Sequence, residues 1–239
     1  MRIAILSDIH GNRTAFEAVL RDLRDTAPDL VLHGGDLADS GSDLPAVVDE
    51  IRALGWQGVA GNTDEMLFRP ESLGEFAGAP PGLKTVFDAV EEIASNARAT
   101  LGSDRIEWLA ALPNQYTSPP IALVHASPGS LWRAPSKQSP DNELQDAYGS
   151  LGQPVVIYGH IHQPFVRHLE GFTVANSGSV GLPYDGDTRA SYLLIDGAEP
   201  MIRRVEYDVE REVRAVADAR IPHADWIARM LRTAAPQMP

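Results

Sequence analysis

At 239 residues the chain is long enough to bury one sizeable α/β core, and nothing in its composition forces a split into several domains. Its 33 acidic and 20 basic residues give a formal charge of −13, which disfavours a general nucleic-acid surface or an anionic membrane surface. It has no cysteine, so disulfides, iron–sulfur clusters and thiolate sites are excluded, and any metal must be held by Asp, Asn and His. No apolar run approaches the ~18 residues of a membrane span, and the opening Met1 to Asp8 turns acidic too soon for a signal peptide. A cytoplasmic protein without a membrane partner is expected.

The apolar run Arg2 to Leu6 predicts a strand, and it stops at Ser7-Asp8-Ile9-His10-Gly11-Asn12. Phe16, Val19, Leu20 and Leu23 then recur at helical spacing between Arg13 and Ala27, with Pro28 as the stop. A strand over 30–34, a helix from Leu44 to Leu54 closed by Gly55, and a strand over 56–60 complete a β-α-β-α-β order, which implies a parallel sheet. From Phe68 to Gly82 the chain is rich in Gly and Pro and reads as an irregular connection. Helical patterns follow at Leu83 to Leu101 and Ser103 to Leu112, the latter closed by Pro113. The helical insertion at about 66–112 breaks the alternation. It is read as packing in preference to a substrate lid, although its basic residues Arg69, Lys84 and Arg98 are those a lid would use.

Strands return at Ile121 to His125 and Val155 to Tyr158, with a polar loop from Ser127 to Asp141 and a helix near Glu143 to Leu151 between them. Short runs at Phe165 to Leu169, Phe172 to Ala175, Ser191 to Ile195 and Met201 to Tyr207 predict an antiparallel continuation of the sheets. The segment from Val209 to Ala234 is amphipathic helix broken at Pro222. With no repeat, low-complexity tract or linker, the expectation is one domain over 1–239.

Five strand ends carry potential ligands: Asp8 and His10, Asp36 in Gly34-Gly35-Asp36, Asn62 in Gly61-Asn62, His125, and His160 and His162 after Gly159. In open α/β folds, sites lie at the carboxyl ends of strands. Seven neutral or anionic ligands are too many for one octahedral ion but suit two that share a carboxylate, and Asp36 is the natural bridge. Gly34, Gly35, Gly61 and Gly159 let the backbone turn away from each strand end, so that the following side chains point into one cleft. His33 lies inside a strand pattern and is expected to pack rather than ligate. His168 and His223 have no motif around them.

The set Asp8-x-His10, Gly35-Asp36-x-x-Asp39, Gly61-Asn62, His125 and Gly159-His160-x-His162 resembles the calcineurin-like metallophosphoesterase superfamily. Asn176-Ser177-Gly178-Ser179-Val180-Gly181 is similar to the Asn-x-Gly-Ser-Val segment of its small bacterial and archaeal phosphodiesterase branch. The resemblance implies a four-layer α/β/β/α sandwich of two mixed sheets, and two divalent ions. One ion would take Asp8, His10, Asp36 and His162, and the other Asp36, Asn62, His125 and His160. Mn²⁺ is the expected ion, with Fe, Ni or Zn as alternatives. The implied reaction is hydrolysis of a small phosphate ester, a nucleotide among the candidates, by in-line attack of a hydroxide bridging the two cations. Asp36, His125, Asn62 and Asp39 would form the catalytic set, Asp39 by orienting a ligand, while Asn12 and Arg133 would contact substrate.

One position departs from the family. Many members read Gly-Asn-His-Asp or Gly-Asn-His-Glu, whereas here Thr63 follows Asn62. A threonine hydroxyl cannot serve as an acid near neutral pH, which moves the expectation from monoesters toward phosphodiesters. The alternatives are a phosphomonoesterase or a dinucleoside polyphosphate hydrolase, both served by the same centre, and a non-catalytic scaffold, which would have no chemical need for seven ligands.

Overall fold

In the computed structural model, which describes residues 1–77, 83–197 and 199–239, the first strand shows how the layers are built. Strand β1 (Arg2–Leu6) points Ile3 and Ile5 to one side and Ala4 and Leu6 to the other, and both sides are buried. Strands β5 (Ile121–Val124) and β6 (Val155–Tyr158) alternate in the same way. Ile3, Ile5, Leu32, Ile121, Leu123, Val155 and Ile157 therefore meet as one apolar layer between two sheets. Each fully buried aliphatic side chain of this kind contributes roughly 1.5–3 kcal/mol. The continuous apolar runs of these strands follow from burial on two faces.

The first sheet has the order β10-β9-β1-β2-β3, built from β2 (Leu30–His33), β3 (Gln57–Gly58), β9 (Ala190–Asp196) and β10 (Glu199–Val205) around β1. β1, β2 and β3 run parallel, and β9 and β10 are antiparallel. The second sheet has the order β4-β5-β6-β8-β7, with β4 (Gln115–Ser118), β7 (Phe165–His168) and β8 (Thr173–Asn176). Helices α1 (Arg13–Thr26) and α2 (Leu44–Leu54) cover the outer face of the first sheet. Helix α6 (Asp141–Tyr148) covers the outer face of the second, which makes the expected α/β/β/α sandwich of two mixed sheets.

Several expectations change in detail. The strand expected over 56–60 shrinks to Gln57–Gly58: the Val59 N–H still donates to His33 O of β2, but the Ala60 N–H donates to Pro113 O instead. The connection expected to be irregular from Phe68 to Gly82 contains helix α4 (Ser72–Ala77), and its stretch 78–82 lies outside the described residues. Helix α3 (Asn62–Phe68) and strand β4 carry too little periodicity to be read from sequence. The two helices expected within 83–112 form α5 (Lys84–Ala110), kinked at Gly102, whose φ of 72° and ψ of 168° are not helical. The antiparallel continuation is present in the β7–β8 and β9–β10 pairs, while the other edge of β8 pairs parallel with β6. The C-terminal segment forms α7 (Val209–Asp218) and α8 (Ala224–Thr233), with the break around Pro222. Among the described residues no helix is long and apolar enough to cross a membrane.

Candidate metal centre

The loops after β1, β2, β5 and β6 meet at one end of the two sheets and are stitched together by backbone. The Asp8 N–H donates to Gly35 O (3.0 Å), His10 N–H to Asp36 O (3.0 Å) and Gly159 N–H to His125 O (2.9 Å). Nine non-glycine residues among those described have positive φ, and five of them are Asp8, His10, Asp36, His160 and His162. Such a conformation costs of order 1–3 kcal/mol per residue, so it persists only where the surroundings over-determine it. Two glycines make the approach possible. A Cβ on Gly61 would run into Asp36 Oδ1, and one on Gly159 would collide with Ser7 Oγ.

The Asn-x-Gly-Ser segment forms the rear of this assembly. Asn176 Nδ2 donates to Gly159 O (2.6 Å) and Ser179 Oγ to Asp8 O (2.7 Å), so the segment ties the β1 loop to the β6 loop.

The side chains converge in two groups. In the first, oxygen and nitrogen atoms of Asp8, His10, Asp36 and His162 all lie within 4.8 Å of one another. His10 Nδ1–H donates to Asp39 Oδ1 (2.7 Å) and His162 Nδ1–H to Leu182 O (2.5 Å). That leaves both Nε2 atoms pointing inward, where they sit 3.1 Å apart, with Asp8 Oδ1 3.1 Å from His162 Nε2. In the second group, Asn62 Oδ1 lies 2.9 Å from His125 Nε2 and 2.8 Å from His160 Nδ1, while His125 Nδ1–H donates to Gly34 O (2.8 Å). The Asp36 carboxylate faces both groups: Oδ2 is 3.9 Å from His10 Nε2, and Oδ1 is 3.5 Å from His125 Nε2. Carboxylate, amide and imidazole ligand atoms converge here, and an all-N/O donor set suits Mn, Fe, Ni or Zn.

The titration behaviour reports the same excess of negative charge. Burial opposes a charged imidazole at His10, yet Asp39, with Asp36 and Asp8, raises it to about 10. Burial likewise works against charge on His125, and Asp36 and Asp8 overcome it, so its pKa is raised. His160 is lowered to about 3 by burial and by the neighbouring His125.

Not every expected residue reaches the centre. Asn12 caps α1, accepting the Ala15 N–H through Oδ1 (2.9 Å), and donates through Nδ2 to Gly181 O (2.8 Å). Both ends of its amide are thereby used within the chain, which gives Asn12 a structural role. Arg133 is exposed and stacks over Phe76 at 5.5 Å, outside the cleft that its neighbour Trp132 lines. Lys84 pairs with Asp88 on its own helix, and Arg98 bonds Met66 O and Glu91. His33 is buried beside Trp108 with no partner for either ring nitrogen.

Other residues matter more than the sequence indicated. Asp64 is buried and accepts three backbone N–H groups, those of Asp36 (2.8 Å), Leu37 (2.9 Å) and Gly61 (2.9 Å). It fastens the Asp36 loop to the Asn62 helix, and burial with the nearby Asp36 charge raises its pKa to about 6. An acid three residues after Gly61, at the start of a helix, is the capping signal that could have found it. Glu212 of α7 is buried too, and accepts the Thr14 N–H (3.2 Å) and Ser42 N–H (3.0 Å) just beyond Asp39. No local pattern marks it, since it acts across some 170 residues of chain.

Above the two groups opens a cleft of about 240 Å³. Its floor includes His10, Asp36, Asn62, Thr63, His160 and His162, and its walls come from α5, α8 and Trp132. The Thr63 hydroxyl is buried there with no hydrogen-bond partner.

A model of the calcineurin-like phosphoesterase superfamily domain matches residues 1–199. A protein of Methanocaldococcus jannaschii described as uncharacterized is 27% identical over 252 residues, covering 96% of each chain. A probable metallophosphoesterase of Methanothermobacter thermautotrophicus is 28% identical over 201 residues, covering 82% of this chain and 87% of its own. The crystal structure of a metallophosphoesterase from Sphaerobacter thermophilus shares the fold with a TM-score of 0.81 at 24% identity, covering 98% of this chain and all of that one. The chain belongs to the calcineurin-like phosphoesterase superfamily, whose members hydrolyse phosphate esters.

Proposed function

We propose that this chain is a phosphodiesterase acting on a small soluble ester with two divalent cations, Mn²⁺ first among them. The observation that carries the metal dependence is the pair of imidazole Nε2 atoms 3.1 Å apart, each with its other nitrogen committed as a donor. Beside the Asp8 and Asp36 carboxylates these two nitrogens call for positive charge among them, a proton on His10 in the metal-free chain and a metal ion in the active one. Asp8, His10, Asp36 and His162 would hold one ion, and Asp36, Asn62, His125 and His160 the other. When bound, such ions supply Lewis acidity toward the phosphoryl oxygens and toward water.

The chain's own contribution is orientation and exclusion. Asp39, Leu182 O and Gly34 O fix the tautomers of His10, His162 and His125, the kind of support whose loss commonly costs 10–100-fold in metal affinity or activity. Asp64 keeps Asp36 and Asn62 on a common frame. The preference for diesters rests on Thr63, which lines the cleft but whose hydroxyl cannot deliver a proton to a poor leaving group near neutral pH.

Comparing bis(p-nitrophenyl) phosphate with p-nitrophenyl phosphate, in Mn²⁺ and after chelation, tests the proposal. The expected result is a larger kcat/KM for the diester, with both activities lost on chelation. A larger value for the monoester would favour a phosphomonoesterase, and activity that survives chelation would remove the metal from the account.

A further inference from the structure

The cleft is polar only at its floor. Its walls are Val86, Phe87, Val90 and Ile93 of α5, Trp226, Ile227 and Met230 of α8, and Trp132, and no lysine or arginine lines it among the described residues. This is not for want of cations nearby. Arg69 is paired with Glu65 and Glu75, Lys84 with Asp88 and Arg98 with Glu91, while Arg133 lies over Phe76. A substrate with a second anionic group would leave that charge facing an apolar wall with nothing to neutralise it. The wall is also set before anything binds. Trp132 Nε1–H donates to Glu65 Oε2 (2.5 Å), and Phe76 stacks on the indole at 4.9 Å.

We propose that the cleft is the subsite for one ester group of the substrate, and that this group is an uncharged apolar alcohol residue, alkyl or aryl. This rests on the phosphodiesterase reading above. The phosphoryl group then lies at the His and Asp floor, and the apolar ester group lies between Phe87 and Trp132. Polyphosphates gain nothing from such a wall, and among esters the subsite selects by the apolar area that the ester group buries. A fully buried methylene is worth about fourfold in affinity.

The test is a series of p-nitrophenyl alkyl phosphates, methyl, butyl and hexyl, with the 5-carboxypentyl ester as the anionic counterpart of the hexyl, assayed with the Mn²⁺-loaded protein. The kcat/KM should rise at least tenfold from methyl to hexyl, and the carboxypentyl ester should lose that gain. Phe87→Ala should cut the hexyl-to-methyl ratio at least threefold, and Val86→Ser provides a second, smaller truncation of the same wall should the first fail to fold. Diesters that are hydrolysed with a flat or falling series would overturn the subsite while leaving the phosphodiesterase reading in place. If no member of the series is hydrolysed, the phosphodiesterase reading fails, and binding decides the subsite. Tryptophan fluorescence of the metal-free protein should then report tighter binding of hexyl methylphosphonate than of methyl methylphosphonate, and equal affinities would overturn it.

Discussion

The floor and the walls of the cleft are built by opposite means. The floor is made of loops in strained conformations, with five positive-φ side chains held by backbone hydrogen bonds and by buried carboxylates such as Asp64. The walls are made of regular helix, α5 and α8, whose apolar faces pack with few directional bonds. A cation site needs atoms placed to within tenths of an ångström, which backbone constraint can provide, whereas an apolar wall needs only area and shape. Substitutions should therefore act sharply and specifically in the floor, and gradually in the walls.

The largest effect is expected at the shared carboxylate. Asp36→Asn should lower kcat by at least ~10³-fold, as losing a transition-state partner does in other active sites. Asp39→Asn should cost ~10–100-fold, because it acts only through His10. Steady-state kinetics of the two variants side by side give the ratio. Equal losses would mean that the floor is not organised around Asp36.

This division also explains what could be read in advance. The floor was legible because each strand end carries its ligand within four residues of a short apolar run, as in Leu6 to His10 and Tyr158 to His162. The walls were not, since Phe87 and Trp226 meet only through tertiary packing of helices far apart in sequence. The capping role of Asn12 is hidden for a related reason. An Asn after two potential ligands looks like a contact group, while its position before Arg13 also makes it a helix cap. Arg133 and Trp132 are neighbours in one polar loop, and nothing local tells which of the two turns inward. Strand β4 and helix α3 are too short, and too polar or too mixed, for their periodicity to register.

The next effect lies beneath the floor, at His33. Burial lowers its pKa to about 4, so it is neutral in the folded state while the unfolded chain takes up a proton below about 6.5. The unfolded state binds more protons between these values, and folding stability must fall as the pH drops from about 6.5 to about 4, by about 3 kcal/mol from this group. His33→Leu in the metal-free protein should lack that part of the acid sensitivity. Urea midpoints at both pH values, compared with the wild type, would show it, and identical acid losses in the two proteins would refute it.

Thr63 joins the two regions. Its backbone N–H donates to Asp36 Oδ1 (2.9 Å), and the residue lines the cleft, yet its buried hydroxyl bonds nothing. Replacing it costs no side-chain hydrogen bond, so Thr63→His should raise activity on alkyl monoesters about tenfold, the lower part of the ~10²–10⁴ range of general acid catalysis after a discount for placement. Esters of p-nitrophenol, whose leaving group needs no proton, should gain little. Parallel plots of rate against leaving-group pKa for both proteins would show that the proton does not pass through this position.

The smallest effect is expected on the outer side of α5. Lys84→Ala and Arg98→Ala should leave KM for charged esters within about twofold, because neither side chain lines the cleft and both are already paired, Lys84 with Asp88 and the half-buried Arg98 with Glu91. A large rise in KM would make α5 a charged lid and undo the contrast between floor and walls.

The central claim is that the floor holds two cations, and metal stoichiometry tests it most directly. Elemental analysis of the protein after equilibration with Mn²⁺ and removal of free ion should give close to two ions per chain, falling to none on chelation together with activity, and both returning on re-addition. A stoichiometry of one or fewer in fully active protein, or turnover by the stripped chain, would contradict it.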